Sequence, residues 1–334
     1  MSALPFLPNP GSLCALGTDI LFSLKRIRSV EEEIARRYKE NEMRCPIHLS
    51  IGQEAVATGV GLALKTSDLA VSGHRAHAHY LGKGGNLNVM IAELYGKVTG
   101  CARGKGGSMH LIDETVGFMG STAIVGGTIP IGVGLAFGMK HKRTDQLTCI
   151  FLGDAAVETG VFYEAANFAA LRKLPVLFVC ENNLYSVYTH LRARQPAGRQ
   201  IHEMVSGLGI AGSCHDGNDA QAVYDTAIEA AEAIRRGGGP RFLEFATYRW
   251  REHCGPDFDN DIGYRTEAEF LEWKALDPVA KLERELRKLG HIDDSWLDRT
   301  TRVIKAEVAA AFDAARLAPF PAADEAYKHL FSES

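Results

Sequence analysis

Two apolar runs, Leu147–Leu152 and Pro175–Cys180, flank a stretch of helical periodicity, Thr159–Arg172. A strand that faces water on one side alternates apolar and polar residues, whereas a strand covered on both sides reads as one apolar run. Two such strands and one helix within ~35 residues form a right-handed βαβ crossover with parallel strands. This unit sets the fold class: α/β, a doubly wound and mostly parallel sheet with helices on both faces. It also directs attention to the residues just past the strand ends, Gly153-Asp154 and Glu181-Asn182-Asn183.

The rest of the chain is arranged around that unit. Residues 1–18 are rich in Pro and Gly and are expected to be an extended arm. Helices are expected at Asp19–Asn41, Gly52–Leu64, Leu87–Tyr95, Ile129–Lys140 and Asp219–Arg236, and strands at Asp68–Ser72 and Arg241–Tyr248. The Ala/Gly-rich helix at 52–64 calls for close packing. Residues 249–264 form a polar loop without a secondary-structure period, and two terminal helices are expected at 267–289 and 293–317. The organisation read from this is an arm (1–18), one α/β domain (19–265) and a helical C-terminal extension (266–334).

Composition narrows the function. A chain of 334 residues buries a full core without covalent staples. With 37 basic and 41 acidic residues the net charge is -4, so the basic excess of a nucleic-acid binder is missing. Seven cysteines with no Cys-x-x-Cys pair fit neither a disulfide framework nor a zinc ribbon. No run approaches ~18 apolar residues, so no membrane span is expected, and a reducing, cytoplasmic setting follows. The 34 glycines are in excess and cluster where backbone must approach a ligand or a neighbouring helix.

Asp154 and Asn183 carry the chemistry. Each follows a buried parallel strand, at the end of the sheet where α/β proteins hold ligands. A carboxylate, an amide oxygen and nearby carbonyls suit Mg²⁺, which completes its shell with water and substrate phosphates. An Asp capping the next helix and an Asn in a turn account equally for these two residues taken alone. Gly153-Asp154 with Asn182-Asn183 resembles the thiamine diphosphate motif, with Ala155 in place of its second glycine. His48-Leu-Ser-Ile-Gly-Gln-Glu-Ala55, His74-Arg-Ala-His77, Ala102-Arg-Gly-Lys-Gly-Gly-Ser-Met-His110, Ile124-Val-Gly-Gly-Thr-Ile-Pro130, Glu181-Asn-Asn-Leu-Tyr185 and Thr247-Tyr-Arg-Trp-Arg-Glu-His253 extend the likeness. Together they resemble the alpha subunit of thiamine diphosphate-dependent 2-oxo acid dehydrogenases of the pyruvate and acetoin type.

The resemblance implies roles. Asp154, Asn183 and the carbonyl of Tyr185 would ligate Mg²⁺. Ala155 and Ala156 would offer backbone N–H groups to the diphosphate, joined by Arg75, His74 and His253. Ala123 and Val125 lie on the segment that meets the aminopyrimidine, with Val125 as an apolar wedge. His48, His77 and His253 match histidines near the reacting carbon or the entrance. Without the resemblance, Val125 is a core valine, and His74, His77 and His79 are a polar loop cluster. Where animal relatives carry a phosphorylated serine this chain has Cys254, so that switch is not expected.

Two glycine motifs are set aside. Gly132-x-Gly134-x-x-x-Gly138 lacks the preceding strand of a dinucleotide site and reads as a closely packed helix. Gly104-Lys-Gly-Gly-Ser lacks P-loop spacing and reads as an active-site or subunit-contact loop. The family's glutamate for the aminopyrimidine lies on a separate beta subunit, for whose domain this chain has no room. The resemblance therefore implies half an active site, in a two-alpha two-beta heterotetramer. The implied reaction decarboxylates a 2-oxo acid, or cleaves an acyloin, and passes the acyl group to lipoamide on a lipoyl-bearing acyltransferase. The alternative is a lipoamide-independent decarboxylase or carboligase.

Overall fold

The computed structural model describes residues 13–43 and 45–328. Six parallel strands form the central sheet: β1 (Leu69–Ser72), β2 (Phe118–Ser121), β3 (Thr148–Gly153), β4 (Val176–Asn182), β7 (Ala211–Asp216) and β8 (Arg241–Ala246), in the order β2-β1-β3-β4-β8-β7. Tyr185–Ser186 (β5) and Thr189–His190 (β6) make a small antiparallel hairpin beside it. The predicted βαβ unit is β3, α6 (Gly160–Leu171) and β4, with Cys149 opposite Leu177 and Gly153 opposite Glu181. The chains of Cys149 through Phe151 and Val176 through Cys180 are almost wholly buried.

Twelve α-helices surround the sheet among the described residues. Besides α6 they are α1 (Leu13–Tyr38), α2 (Glu54–Ala63), α3 (His77–Gly82), α4 (Leu87–Leu94), α5 (Thr128–Lys142), α7 (Leu191–Arg194), α8 (Ile201–Ser206), α9 (Ala220–Ala233), α10 (Glu267–Lys274), α11 (Pro278–Lys288) and α12 (Asp294–Leu317). In α1 the stripe Ile20, Leu24, Ile27, Val30 and Ile34 is fully buried, the i, i+3/i+4 pattern of a core-facing helix. Close packing of α2 is observed: a Cβ on Gly61 would strike the carbonyl of Gly82 at the end of α3, and one on Gly59 would meet Val223 of α9.

Three expectations change. The part of the expected arm before Leu13 lies outside the described residues, and α1 starts at Leu13, so 13–18 is helix. The first terminal helix is two helices, because Asp277 accepts the Val279 N–H and Pro278, which has none to give, opens α11. Strands β2 and β7 were not expected. Strand β2 is four residues with a glycine at φ +144°, and β7 is a polar edge strand, so neither shows the apolar run of a central strand.

The C-terminal helices are integral to the core. Leu282, Leu286, Ile292 and Leu297 pack with Ile20, Leu21 and Leu24, and Phe312 of α12 meets Tyr95 edge-on at 6.0 Å. Truncating a side chain as buried as Phe312 typically costs about 3–5 kcal/mol. Arg28 of α1 forks onto the buried Glu54 and reaches Asp277 at 3.1 Å, while Glu54 accepts the Gly52 N–H at 3.1 Å. That network fixes segment 48–53 against the sheet. Gly52 sits at φ +95° with its α-carbon against the Trp250 ring, where a side chain has no space.

Candidate active site

Leaving β1, the chain first goes to one side to form β2, then returns to the other side to form β3. The reversal opens a crevice past the carboxyl ends of β1 and β3. Ser72 to Arg75, Gly153 to Ala156, and Asn183 and Tyr185 all line one cleft there, of about 160 Å³. Asp154 and Asn183 are thus delivered to one floor by adjacent strands in register.

Asp154 is 2 % exposed and its carboxylate is held by the Arg194 guanidinium at the end of α7. Burial raises its pKa, with Arg194 opposing the shift. Arg194 also pairs with Glu158. A buried carboxylate that already requires a positive partner suits a cation. Asn183 donates from Nδ2 to Gln53 Oε1 at 3.2 Å and accepts the Tyr185 N–H on Oδ1 at 3.3 Å, so its oxygen faces a fixed direction. The Tyr185 phenol points elsewhere, donating to Glu269 at 2.8 Å. These hard oxygen donors fit Mg²⁺. Ala155 and Ala156 open a 3-10 turn, Asp154–Glu158, and the α-helix starts only at Gly160.

The mouth has a different chemistry. His48 lies before α2, His74 follows β1, and His253 belongs to the loop after β8. Their ring centroids are 4.5 Å (His48–His74), 5.1 Å (His48–His253) and 5.4 Å (His74–His253) apart. Desolvation, with the Arg75 charge adding to it, pushes the three pKa values down to about 2 for His48, about 4 for His74 and about 3 for His253. All three are neutral at pH 7. Arg75 is buried and donates to the carbonyls of Leu49 at 2.6 Å and His253 at 3.1 Å.

His77 is the exception among the expected site residues. It is fully buried, its Nδ1 is 3.1 Å from Glu31 Oε2 and its Nε2 is 2.7 Å from Ser108 Oγ. Both nitrogens are engaged, by Glu31 and Ser108, and it is not among the residues that line the cleft. Nor is the expected His74–His77–His79 loop cluster a unit, since His77 and His79 lie on α3. Val125 and Gly126 line the cleft, while Ala123 sits half-buried behind them. Sequence reasoning passed over four lining or supporting groups. Gln53 orients Asn183, and Arg194 neutralises Asp154. His79 stacks on Phe151 at 4.0 Å and lies 3.1 Å from its partner Glu181. Gln53 and Glu181 sit inside the quoted motifs; Arg194 carries no sequence signal.

The Gly104-Lys-Gly-Gly-Ser loop is a nest of N–H groups around the chain's own carboxylate. Buried Glu93 accepts from Ala102 (2.8 Å), Gly104 (3.0 Å), Gly106 (2.7 Å) and Gly107 (3.0 Å). Phosphate therefore has no place in it. On α5 only Gly132 is closely packed, against Ile150 and Val71; Gly134 and Gly138 face open space. The 249–265 loop is held by buried groups. Arg249 donates to Val187 O and Tyr264 Oη, both at 2.8 Å, and Arg265 donates to Arg249 O at 2.7 Å and pairs with Asp259. A larger cavity of about 700 Å³ lies between α1, α12 and this loop. All its lining charges but Lys305 are paired, among them Lys39 with Asp257 and Arg251 with Glu32, so it lacks the convergent free groups of a site. No helix of the described residues is long and apolar enough to cross a membrane.

Residues 23–324 match the family described as dehydrogenase E1 component. The chain is 36% identical over 305 residues to the pyruvate dehydrogenase E1 component subunit alpha of Rickettsia bellii, covering 91% of this chain and 92% of the relative. It is 36% identical over 328 residues to the subunit of the same name from Zymomonas mobilis, covering 97% and 91%. It is 37% identical over 313 residues to the chloroplastic subunit alpha-3 of Arabidopsis thaliana, covering 92% and 72%.

Proposed function

This chain belongs to the dehydrogenase E1 component family, as the alpha subunit of a thiamine diphosphate-dependent 2-oxo acid dehydrogenase, and on that premise we propose how its residues share the work. Thiamine diphosphate, when bound, would supply a nucleophilic carbon for the 2-oxo group and a sink for the electrons that decarboxylation leaves. Mg²⁺ would be held by the Asp154 carboxylate, the Asn183 Oδ1 and the Tyr185 main-chain carbonyl, with Gln53 keeping the Asn183 amide in its orientation. Arg194, which now pairs with Asp154, would have to give up that carboxylate for a metal to take it.

The Ala155 and Ala156 N–H groups, with Arg75, His74 and His253, would receive the diphosphate. The Ala123 backbone would meet the aminopyrimidine and Val125 would offer it an apolar wall. His48 and His253, neutral at the mouth, orient the 2-oxo acid and accept or donate hydrogen bonds as its charge changes. His77 serves through the Ser108 loop, as a positioning residue.

The beta subunit completes the site. The cleft's 160 Å³ falls short of the ~300–1,000 Å³ of a whole small-molecule site. Its wall continues into an apolar face: Ile124, Val125, Ile131 and Phe137 are 67, 51, 58 and 46 % exposed, and Gly134 and Gly138 beside them are uncovered. An unlike subunit seated there would bring the missing carboxylate and exclude water. The assembly is a two-alpha two-beta heterotetramer. It takes a short 2-oxo acid of the pyruvate type, by the names of the relatives, and hands the acyl group to a lipoyl-bearing acyltransferase in the cytoplasm.

The observation that carries the reading is the convergence of Asp154 and Asn183 on the floor of the switch-point cleft. Calorimetry of the co-expressed alpha and beta pair tests it. Thiamine diphosphate is expected to bind only with Mg²⁺ present, and absence of binding to the pair rejects the assignment. The chain alone is expected to be inactive on any 2-oxo acid; turnover without a partner refutes the shared site.

A further inference from the structure

Strands β8 and β7 run side by side at the edge of the sheet, with Glu244 opposite Cys214 in register. Alternate residues of a strand share a face, so Gly212 and Cys214 point the same way from β7. Helix α8 comes close there because Gly212 has no side chain: a Cβ on it would stand 2.6 Å from the His202 carbonyl. The close approach sets His202 against the Glu244–Cys214 pair. One nitrogen of His202, the Cys214 Sγ and one Glu244 oxygen lie within 4.8 Å of one another. Glu244 adds a second signal. It is 4 % exposed, and its partners are the Asn182 amide at 2.8 Å, the His202 N–H at 3.0 Å and His202 Nδ1 at 3.1 Å. The buried Glu54, Asp68, Asp154 and Asp259 each meet an arginine, whereas no lysine or arginine of the described residues pairs with Glu244. A carboxylate taken out of water calls for a positive partner.

We propose that His202, Cys214 and Glu244 form a binding site for a zinc-class divalent cation at the sheet edge; none of the three lines the cleft. Thiolate and imidazole select zinc and its neighbours over Mg²⁺. The thiolate and the carboxylate together offset the two charges of the ion. The 3.1 Å from His202 Nδ1 to Glu244 Oε2 is close to the ~3.3 Å edge of a tetrahedron with ~2.0 Å bonds. Cys214 is exposed on the edge strand, and rotation of its short side chain closes the remaining distance. Its proton passes to solvent as the sulfur binds.

Three protein ligands leave the fourth position for water. The Asn182 amide and the His202 N–H stay on Glu244 as outer-shell partners and fix its carboxylate. The ion ties three elements together: α8 through His202, the polar edge strand β7 through Cys214, and the buried strand β8 through Glu244. Its role is to fasten an edge strand whose own side chains bury little.

The test is a Co²⁺ titration of the reduced alpha–beta complex in excess Mg²⁺, followed by ultraviolet and visible absorption. One Co²⁺ per alpha chain is expected, with the thiolate-to-cobalt charge-transfer band that only a cysteine ligand gives. Outer-shell partners alone are worth about 10- to 100-fold in metal affinity, so removing a ligand by Cys214→Ala or His202→Gln lowers it by about 100-fold. Cys254→Ala, at the other exposed thiol, and Asp154→Asn, on the floor of the cleft, leave the band unchanged. No thiolate band, a band that survives Cys214→Ala or His202→Gln, or a band lost in Cys254→Ala or Asp154→Asn overturns the proposal. Cys214→Ala changes an exposed residue of an edge strand, so the test stands even where His202→Gln disturbs folding.

Discussion

The floor and the mouth of one cleft are built in opposite ways. On the floor, Asp154 and Asn183 follow adjacent central strands whose register places Gly153 beside Glu181. Their separation is a property of the sheet, and their chemistry is oxygen with a balancing arginine. At the mouth, His48, His74 and His253 come from three segments far apart in sequence and present neutral nitrogen. The sheet guarantees the floor, whereas the mouth depends on loops fastened to each other by the hydrogen bonds of Arg75, Trp250 and Gly255. A substitution on the floor should therefore remove function and spare the fold, and a change at the mouth should register in folding as well as function.

The sharpest test is Asp154→Ala. Removing a charged metal ligand is expected to lower turnover of the alpha–beta complex by more than about a thousandfold, as loss of an essential charge-stabilising group does. Size-exclusion chromatography should show the assembly intact. Retained turnover would mean that the floor does not hold the metal.

The pH dependence of stability separates the two ends next. The pKa values of the three mouth histidines are depressed below the ordinary 6.5, to between about 2 and about 4. Such groups bind protons more readily in the unfolded chain. Stability is therefore full above pH 6.5 and falls as pH drops from 6.5 through about 4. Thermal melts across that range should show the decline, and His48→Gln or His253→Asn should flatten it. A decline of unchanged slope in both variants would place the pH sensitivity elsewhere.

A smaller effect is expected from Arg194→Ala. The guanidinium competes for Asp154, so its removal should tighten Mg²⁺ binding in the presence of thiamine diphosphate by about five-fold, the scale of one partly exposed ion pair. Weaker Mg²⁺ binding in the variant would instead make Arg194 a supporting group of the loaded site. The smallest is the stability change in Val125→Ala: a half-exposed side chain removed from the chain alone should shift unfolding by less than about 0.5 kcal/mol. A loss of 2 kcal/mol in denaturant titrations would mean Val125 is core and not a free wall of the cleft.

The central strands and their helix were legible because burial on both faces leaves an apolar run, as in Ile150 to Leu152 and Val176 to Cys180. Edge and short strands carry no such mark. In β7 the residues Gly212 to His215 are polar or small because one side of the strand is uncovered, and β2 turns on a glycine. Within the cleft, the positions of Asp154 and Asn183 followed from the strand ends, whereas Tyr185 was named from the resemblance alone. His77 was named from the resemblance alone, which says nothing of whether its ring turns toward the cleft or toward Glu31, its partner in the structure. Arg194 was not readable at all, because a cation twelve residues beyond the end of β4 reaches Asp154 only through the β5–β6 turn.

By itself the sequence determined the α/β class, the parallel crossover and the family, since each rests on residues near one another or on a linear pattern of burial. Only the tertiary structure decided that the 266–317 helices share a core with α1, that Glu93 fills the glycine nest, and that three histidines meet at the mouth while a fourth does not. Those outcomes depend on which distant segments come into contact. Burial periodicity constrains what each segment does locally and leaves its partner unspecified; only packing in three dimensions selects it.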